Sequence, residues 1–183
     1  MATLSADSII EDILRREGGF IDDPDDLGGV TNHGITLRTL SEVRGRPVGR
    51  EDVMALDINE AREILREQYY RAPGIDRLPA ALQPFLTDCA VNHGPRAAIR
   101  MLQSVLAAVG AEAPAIDGRL GPETARLSET ETRRLGPALL RSLVEERRRL
   151  YYRIVAKRPQ SGKFLSGWLR RADEFEPQKE WIS

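Results

Sequence analysis

Apolar residues near the amino end recur at three- and four-residue intervals. Ile9, Ile10, Ile13 and Leu14 form a stripe that starts after the capping residue Ser5 and stops at Gly18-Gly19. Glu17 extends the same stripe. From Phe20 to Thr36 the period changes: Asp, Pro and Gly surround short β-compatible pieces, which predicts an irregular hairpin. Helical spacing resumes with Leu37, Leu40 and Val43, and again after Asp57, where Asp57 and Glu60 have capping-box spacing ahead of Ala61, Ile64 and Leu65. Pro73-Gly74 ends that helix. An apolar segment then runs to Val91 and is broken by Asn92-His93-Gly94-Pro95, whose proline suits the first turn of the next helix, which carries Ile99, Leu102, Val105, Leu106 and Val109. After the polar loop Ile116–Thr124 comes a long helix with Leu139, Leu140, Leu143, Leu150, Ile154 and Val155 on one face, and then a short one with Phe164, Trp168 and Leu169. The pattern predicts a mainly α chain of six to eight helices with one small irregular β-hairpin after the first helix. It contains no convincing repeat. The best boundary lies near Pro73 to Pro84, giving a first region 1–80, a helical region 81–175 packed against it, and a tail 176–183.

Composition narrows the function classes. With 27 basic against 28 acidic residues, no net field favours a polyanion, so nucleic acid is not the expected partner. A single cysteine, Cys89, excludes an intramolecular disulfide framework, and two histidines give no zinc-ligand spacing. Asp7, Glu11, Asp12, Arg15 and Arg16 interrupt any secretory signal core, and no apolar run is long enough to span a bilayer. The expectation is a soluble monomer made in the cytoplasm; if its substrate lies outside, another agent delivers it.

Glu17 is the first candidate for chemistry. A general acid must hold its proton near neutral pH. An apolar stripe and a helix C-terminus both favour the protonated carboxyl, the first through burial and the second through the macrodipole. The competing explanation is a glutamate that finishes an amphipathic helix and reaches solvent. Two glycines follow, permitting close backbone approach, and then Asp22, Asp23, Asp25 and Asp26. An acid followed by carboxylates is the order a glycosidase needs: one group protonates the leaving oxygen while the other orients water, attacks, or stabilises positive charge. The acidic run alone also reads as a solvated turn around Pro24; it lacks the ligand alternation and glycine of an EF-hand.

The run Glu17-Gly18-Gly19-Phe20, followed by Asp23-Pro24-Asp25-Asp26-Leu27-Gly28-Gly29-Val30-Thr31-Asn32-His33-Gly34-Ile35-Thr36, resembles the signature of glycoside hydrolase family 108, a lysozyme-like muramidase family. Asp88-Cys89-Ala90-Val91-Asn92-His93-Gly94-Pro95, Leu102-Gln103, Asp117-Gly118-Arg119-Leu120-Gly121-Pro122-Glu123-Thr124 and Gly167-Trp168-Leu169 resemble that family's C-terminal peptidoglycan-binding domain. The resemblance implies an α+β lysozyme-like fold and hydrolysis of the β-1,4 bond between N-acetylmuramic acid and N-acetylglucosamine, for host lysis or wall opening during secretion. It further implies Glu17 as proton donor, with Asp26 and Thr31 completing the catalytic set. Asp25 competes with Asp26, because Glu17 to Asp26 fits the spacing of phage-type lysozymes while Asp25 fits Thr31 better; Asp26 is preferred. If that analogy holds, Asp26 and Thr31 hold a water on the opposite face and the product is inverted; a retaining route stays open. Neither route needs a metal or organic cofactor. The implied partners are peptidoglycan glycan strands and a holin or secretion system, with action in the periplasm or wall after release.

Several residues carry a functional and a plain reading together. Asn92 and His93 are explained by a cap and turn, or they line the sugar cleft. Tyr69 and Tyr70 are a packed aromatic pair, or Tyr70 offers a sugar a stacking face. Trp168 packs the last helix, and Trp181 lies in the tail. Arg147-Arg148-Arg149, with Arg133, Arg134 and Arg141, reads mostly as a solvated helix face, or as a surface that anionic peptide stems and wall polymers could use. Cys89 reads as a small buried hydrophobe; a cysteine amidase using Cys89 and His93 is the thin alternative. A non-catalytic wall-binding or secretion-accessory protein is the main competing function.

Overall fold

The computed structural model describes residues 5–22, 29–110 and 112–177. Helix α1, Ala6–Glu17, is capped by Ser5, whose side chain accepts from the Ser8 amide, and buries Ile9, Ile10, Ile13 and Leu14. The hairpin follows as β1, Thr31–Asn32, antiparallel to β2, Ile35–Thr36, with Thr31 opposite Thr36 and Asn32 opposite Ile35. Its two-residue connection has positive φ at both His33 (52°) and Gly34 (80°), the turn geometry that follows the twist of paired strands. Ile21 bridges to the other side of Thr31 through two backbone hydrogen bonds. Asn32 is buried, and its amide donates to the Val53 and Met54 carbonyls at 3.0 and 3.2 Å, tying the hairpin to a short helix, α3, Arg50–Met54.

Helix α2, Leu37–Arg44, is capped by Thr36. Helix α4, Ile58–Ile64, is capped by Asp57, but not through a capping box: Asp57 accepts from Asn59, while Glu60 forms a two-pronged ion pair with Arg44 at 2.9 and 3.0 Å. The chain then continues as a π-helix, Leu65–Arg71, which turns both Tyr69 and Tyr70 inward. A short 3-10 turn at Ile75–Arg77 precedes the second half, and another at Pro159–Phe164 joins its last two helices. That half holds α5, Gln83–His93; α6, Pro95–Val109; α7, Pro122–Leu135; α8, Pro137–Lys157; and α9, Leu165–Asp173. Where the pattern predicts one long helix after the polar loop there are two, because Gly136 takes φ 54° and Pro137 cannot continue the α7 ladder.

Helix α5 runs through the interior and buries Phe85 to Ala90 without interruption. The core around it is continuous, joining Ile10 and Ile13 of α1 to Leu65, Phe85, Leu102, Leu139 and Leu143. Near α5, the polar loop 116–124 folds around buried Gln103, which donates to Asp117 Oδ1 and the Arg119 carbonyl and accepts from the Gly118 amide. Among the described residues, no helix is long and apolar enough to cross a membrane.

Candidate active site around Glu17

Glu17 is the last residue of α1, and its side chain is 17% exposed. Gly18 continues at φ 69°, ψ −148°, a conformation open to glycine and strained for other residues. The close approach expected at Gly18-Gly19 occurs instead at Gly34. A Cβ on Gly34 would lie 2.8 Å from Glu17 Cγ and 3.1 Å from Val91 Cγ1, whereas a Cβ on Gly18 or Gly19 would meet no atom of the described residues within 4 Å. The hairpin turn, the end of α1 and the last turn of α5 therefore meet on the Glu17 side chain. Gly34→Ala combines that overlap with an unfavourable φ. It is expected to reduce turnover about 100-fold by displacing Glu17. Retained turnover in a variant that circular dichroism shows to be folded would count against this packing.

Arg171 of α9 closes the site. Its Nη2 donates to Glu17 Oε1, and also to Asp88 Oδ1 at 2.7 Å, while its Nε donates to the same Asp88 oxygen at 3.0 Å. Asp88 is buried and lies 2.6 Å from Nη2 of the fully buried Arg147, whose Nε donates to the Tyr151 hydroxyl at 2.7 Å. One chain of charge thus runs from α1 through α9 and α5 to α8. Burial pushes the Asp88 carboxyl towards its neutral form, but Arg147 and Arg171 outweigh it and hold its pKa below the ordinary value. Glu17 Oε2 has no hydrogen-bond partner among the described residues. The network fixes one carboxyl oxygen of Glu17.

Arg171, Asp88 and Arg147 were not among the residues the sequence picks out for the site. Arg147 corrects the reading of the basic stretch as a solvated face: its side chain is 0% exposed. A helical signal for it exists, because Leu143, Arg147 and Tyr151 share one face at four-residue spacing. Asp88 carries a comparable signal, a carboxylate inside Phe85-Leu86-Thr87-Asp88-Cys89-Ala90-Val91 that needs a cationic partner if the segment is buried.

Thr31 sits half-buried in β1, on the hairpin whose turn touches Glu17. Asp25 and Asp26 lie outside the described residues. Asn92 is exposed on the last turn of α5 and donates back to the Asp88 carbonyl at 2.9 Å. His93 is held edge-to-face against Tyr151, with centroids 5.4 Å apart. Tyr70 is 6% exposed and donates to Gln83 Oε1 at 2.7 Å, so the packing explanation accounts for it. Tyr69 is also buried and bonds Thr39 Oγ1 at 2.9 Å; Glu17 and Glu42 both add to the burial that raises its pKa. Trp168 stacks between Tyr151 and Phe164, as a packing residue. Cys89 is fully buried with its thiol pushed up to about 12 by burial, an inert sulfur rather than a nucleophile.

Burial, reinforced by the charge of Arg147, lowers the His93 pKa to about 4 against the opposite pull of Asp88. The folded chain therefore refuses a proton that an unfolded histidine accepts near pH 6.5. Stability from this group is complete above pH 6.5 and is lost as pH falls to about 4, by an amount on the order of 3 kcal/mol. Urea denaturation across that range should show a steeper loss for the wild type than for His93→Gln; parallel curves would exclude the effect.

Comparison with known proteins agrees with this architecture. Residues 10–94 match the model of glycosyl hydrolase 108, and residues 97–173 match a predicted peptidoglycan domain. No curated protein matches the chain. Among solved structures, Brucella abortus SagA is similar over 95% of this chain and 97% of its own, with 30% sequence identity and a TM-score of 0.72. The join between the two matched regions falls at Gly94-Pro95-Arg96, between α5 and α6.

Proposed function

The chain belongs to the glycosyl hydrolase 108 family, and from that membership we propose that it is an N-acetylmuramidase with Glu17 as its general acid. That it is a glycoside hydrolase acting on peptidoglycan follows from the family and the adjoining peptidoglycan domain. The observation that carries the finer reading is the set of contacts on Glu17: a half-buried carboxyl at a helix end, one oxygen held by Arg171 and the other without a partner among the described residues.

In this reading Glu17 Oε2 gives its proton to the glycosidic oxygen between N-acetylmuramic acid and N-acetylglucosamine. The C–O bond breaks, the leaving sugar departs as an alcohol, and Glu17 is left as a carboxylate. Arg171, already on Oε1, stabilises the negative charge that appears there, a group aimed in advance at charge that develops during the reaction. A water held by Asp26 and Thr31 on the opposite face bonds to the anomeric carbon as Asp26 takes its proton, and the product is inverted. Asn92, exposed at the end of α5, offers its amide to an N-acetyl group. The first region does the cleaving and the second holds the glycan. The enzyme acts in the periplasm or wall after release, in host lysis or in opening the wall for a secretion system, with a holin or that system as its partner.

The test is release of reducing ends from purified sacculi, alongside an assay for new amino termini. The wild type should yield the former and not the latter. Proton NMR of the fresh product should show the α anomer first; an initial β anomer would replace the inverting step with a retaining one.

A further inference from the structure

The chain is rich in arginine, and most of its guanidinium groups are tied to carboxylates. Arg44 grips Glu60, Arg66 pairs with Asp7 and Glu63, Arg148 with Glu145, Asp173 and Glu176, and the exposed faces of α2, α7 and α8 carry further pairs at helical spacing. Four arginines with no carboxylate of the described residues within ion-pair distance gather in one place: Arg77, Arg96, Arg100 and Arg119. Arg77, Arg96 and Arg119 line a groove of about 440 Å3 together with Gln68, Pro95 and Gly118, and no carboxylate among the described residues lines it.

Two glycines build this arrangement. Gly74 takes φ 81°, and the Arg77 guanidinium lies across it so closely that a Cβ would fall 2.3 Å from Nη2; the same Nη2 donates to the Leu120 carbonyl at 3.3 Å. Gly118 takes φ 76° and presses on α6, where a Cβ would lie 2.8 Å from the Arg96 carbonyl and 3.2 Å from Arg100 Cγ. The loop bearing Arg119 is thereby seated on the helix turn bearing Arg96, and buried Gln103 holds it there from beneath. Asp117, the nearest loop carboxylate, is already engaged by Gln103 and by the Arg119 amide. The groove draws Gln68 and Arg77 from the region matched to the hydrolase and Arg119 from the region matched to the peptidoglycan domain. Gln68 belongs to the π-helix and Pro95 opens α6, and both of these elements pack on α5, whose Val91 meets Gly34 beside Glu17.

We propose that this groove binds the carboxylates of peptidoglycan peptide stems, with Arg77, Arg96 and Arg119 as the contacts, so that the enzyme reads the stem as well as the sugar chain. The proposal rests on peptidoglycan being the substrate. A stem places several carboxylates along an extended peptide, and spaced, unpaired guanidinium groups complement that pattern. Exposed pairs of this kind are individually weak and screened by salt, which sets the size of the effect to look for.

The probe is the tetrapeptide stem freed from sacculi by an amidase, titrated into the full chain by calorimetry at low salt. Arg96→Gln with Arg119→Gln should weaken binding about ten-fold. Amidating the peptide carboxylates, or raising the salt, should weaken it similarly, and Arg38→Gln with Arg133→Gln, distant surface changes of equal charge, should leave it unchanged. On stem-bearing sacculi the groove variant should lose turnover, while on amidase-stripped glycan it should match the wild type. Peptide binding that is absent in the wild type or unaltered in the groove variant would overturn the proposal, as would an equal loss on both substrates, or preference for a wall phosphate polymer over the stem. Stem binding without release of reducing ends would leave the groove standing and reject the muramidase instead.

Discussion

Glu17→Gln is expected to lower the release of reducing ends from peptidoglycan by about 100- to 10,000-fold, the range over which a positioned general acid contributes. The amide has the carboxyl's shape and can still accept from Arg171, so the fold and the Arg171 contact should survive; what it lacks is the proton that the leaving sugar needs. The expected signature is a collapse in kcat with sacculi still sedimenting the protein. Thermal unfolding of the variant should stay close to the wild type. A variant that remained active would remove Glu17 from the chemistry. Loss of both binding and folding would make Glu17 a structural residue instead.

The second large effect concerns stability. Asp88→Ala removes the carboxylate shared by Arg147 and Arg171 and leaves the first of these cations fully buried with no opposing charge among the described residues. Breaking a buried pair in this way costs about 3–5 kcal/mol, a large fraction of the stability of a domain this size. The midpoint of guanidinium denaturation should fall accordingly. Asp88→Leu combined with Arg147→Met should recover much of the loss, because an apolar pair no longer carries the desolvation penalty of two ions. Recovery of stability should not recover activity, since Arg171 then pairs with Glu17 alone and its guanidinium is no longer fixed by Asp88. Equal stability of Asp88→Ala and the wild type would show that the network does not hold α5, α8 and α9 together.

Most of the helices were legible because they bury a stripe of apolar residues with a stop at one end; the five-residue α3, which buries only Val53, gave no such pattern. Ser5 and Gly18 bound α1, and Gly94-Pro95 separate α5 from α6. The division of the second half at Gly136-Pro137 was equally present in the residues but is easily lost beneath a continuous run of helix-forming side chains. The π-helix was not legible: Leu65 to Arg71 has the same composition as an α-helix, and the shift that turns Tyr69 and Tyr70 inward is set by tertiary packing. Asp57 and Glu60 show a similar override, where spacing for a capping box gives way to the stronger pair between Glu60 and Arg44.

The site divides along the same line. Glu17 and the hairpin after it are local, within twenty residues, and a motif reads them well. Arg171 is 154 residues from Glu17 in the chain, and nothing near either residue names the other. Its pairing is decided by α9 packing on α8 and by the one buried carboxylate, Asp88, between them. Gly34 is an intermediate case: the motif contains it, and the structure supplies the reason, a backbone that must pass within touching distance of the catalytic candidate.

The most direct test of the central claim is the identity of the bond cut. Purified sacculi digested by the wild type, reduced with borohydride and analysed by mass spectrometry should carry reduced N-acetylmuramic acid at the new ends, with stems still attached. Reduced N-acetylglucosamine at those ends, or new amino termini with no reduced sugar, would contradict a muramidase.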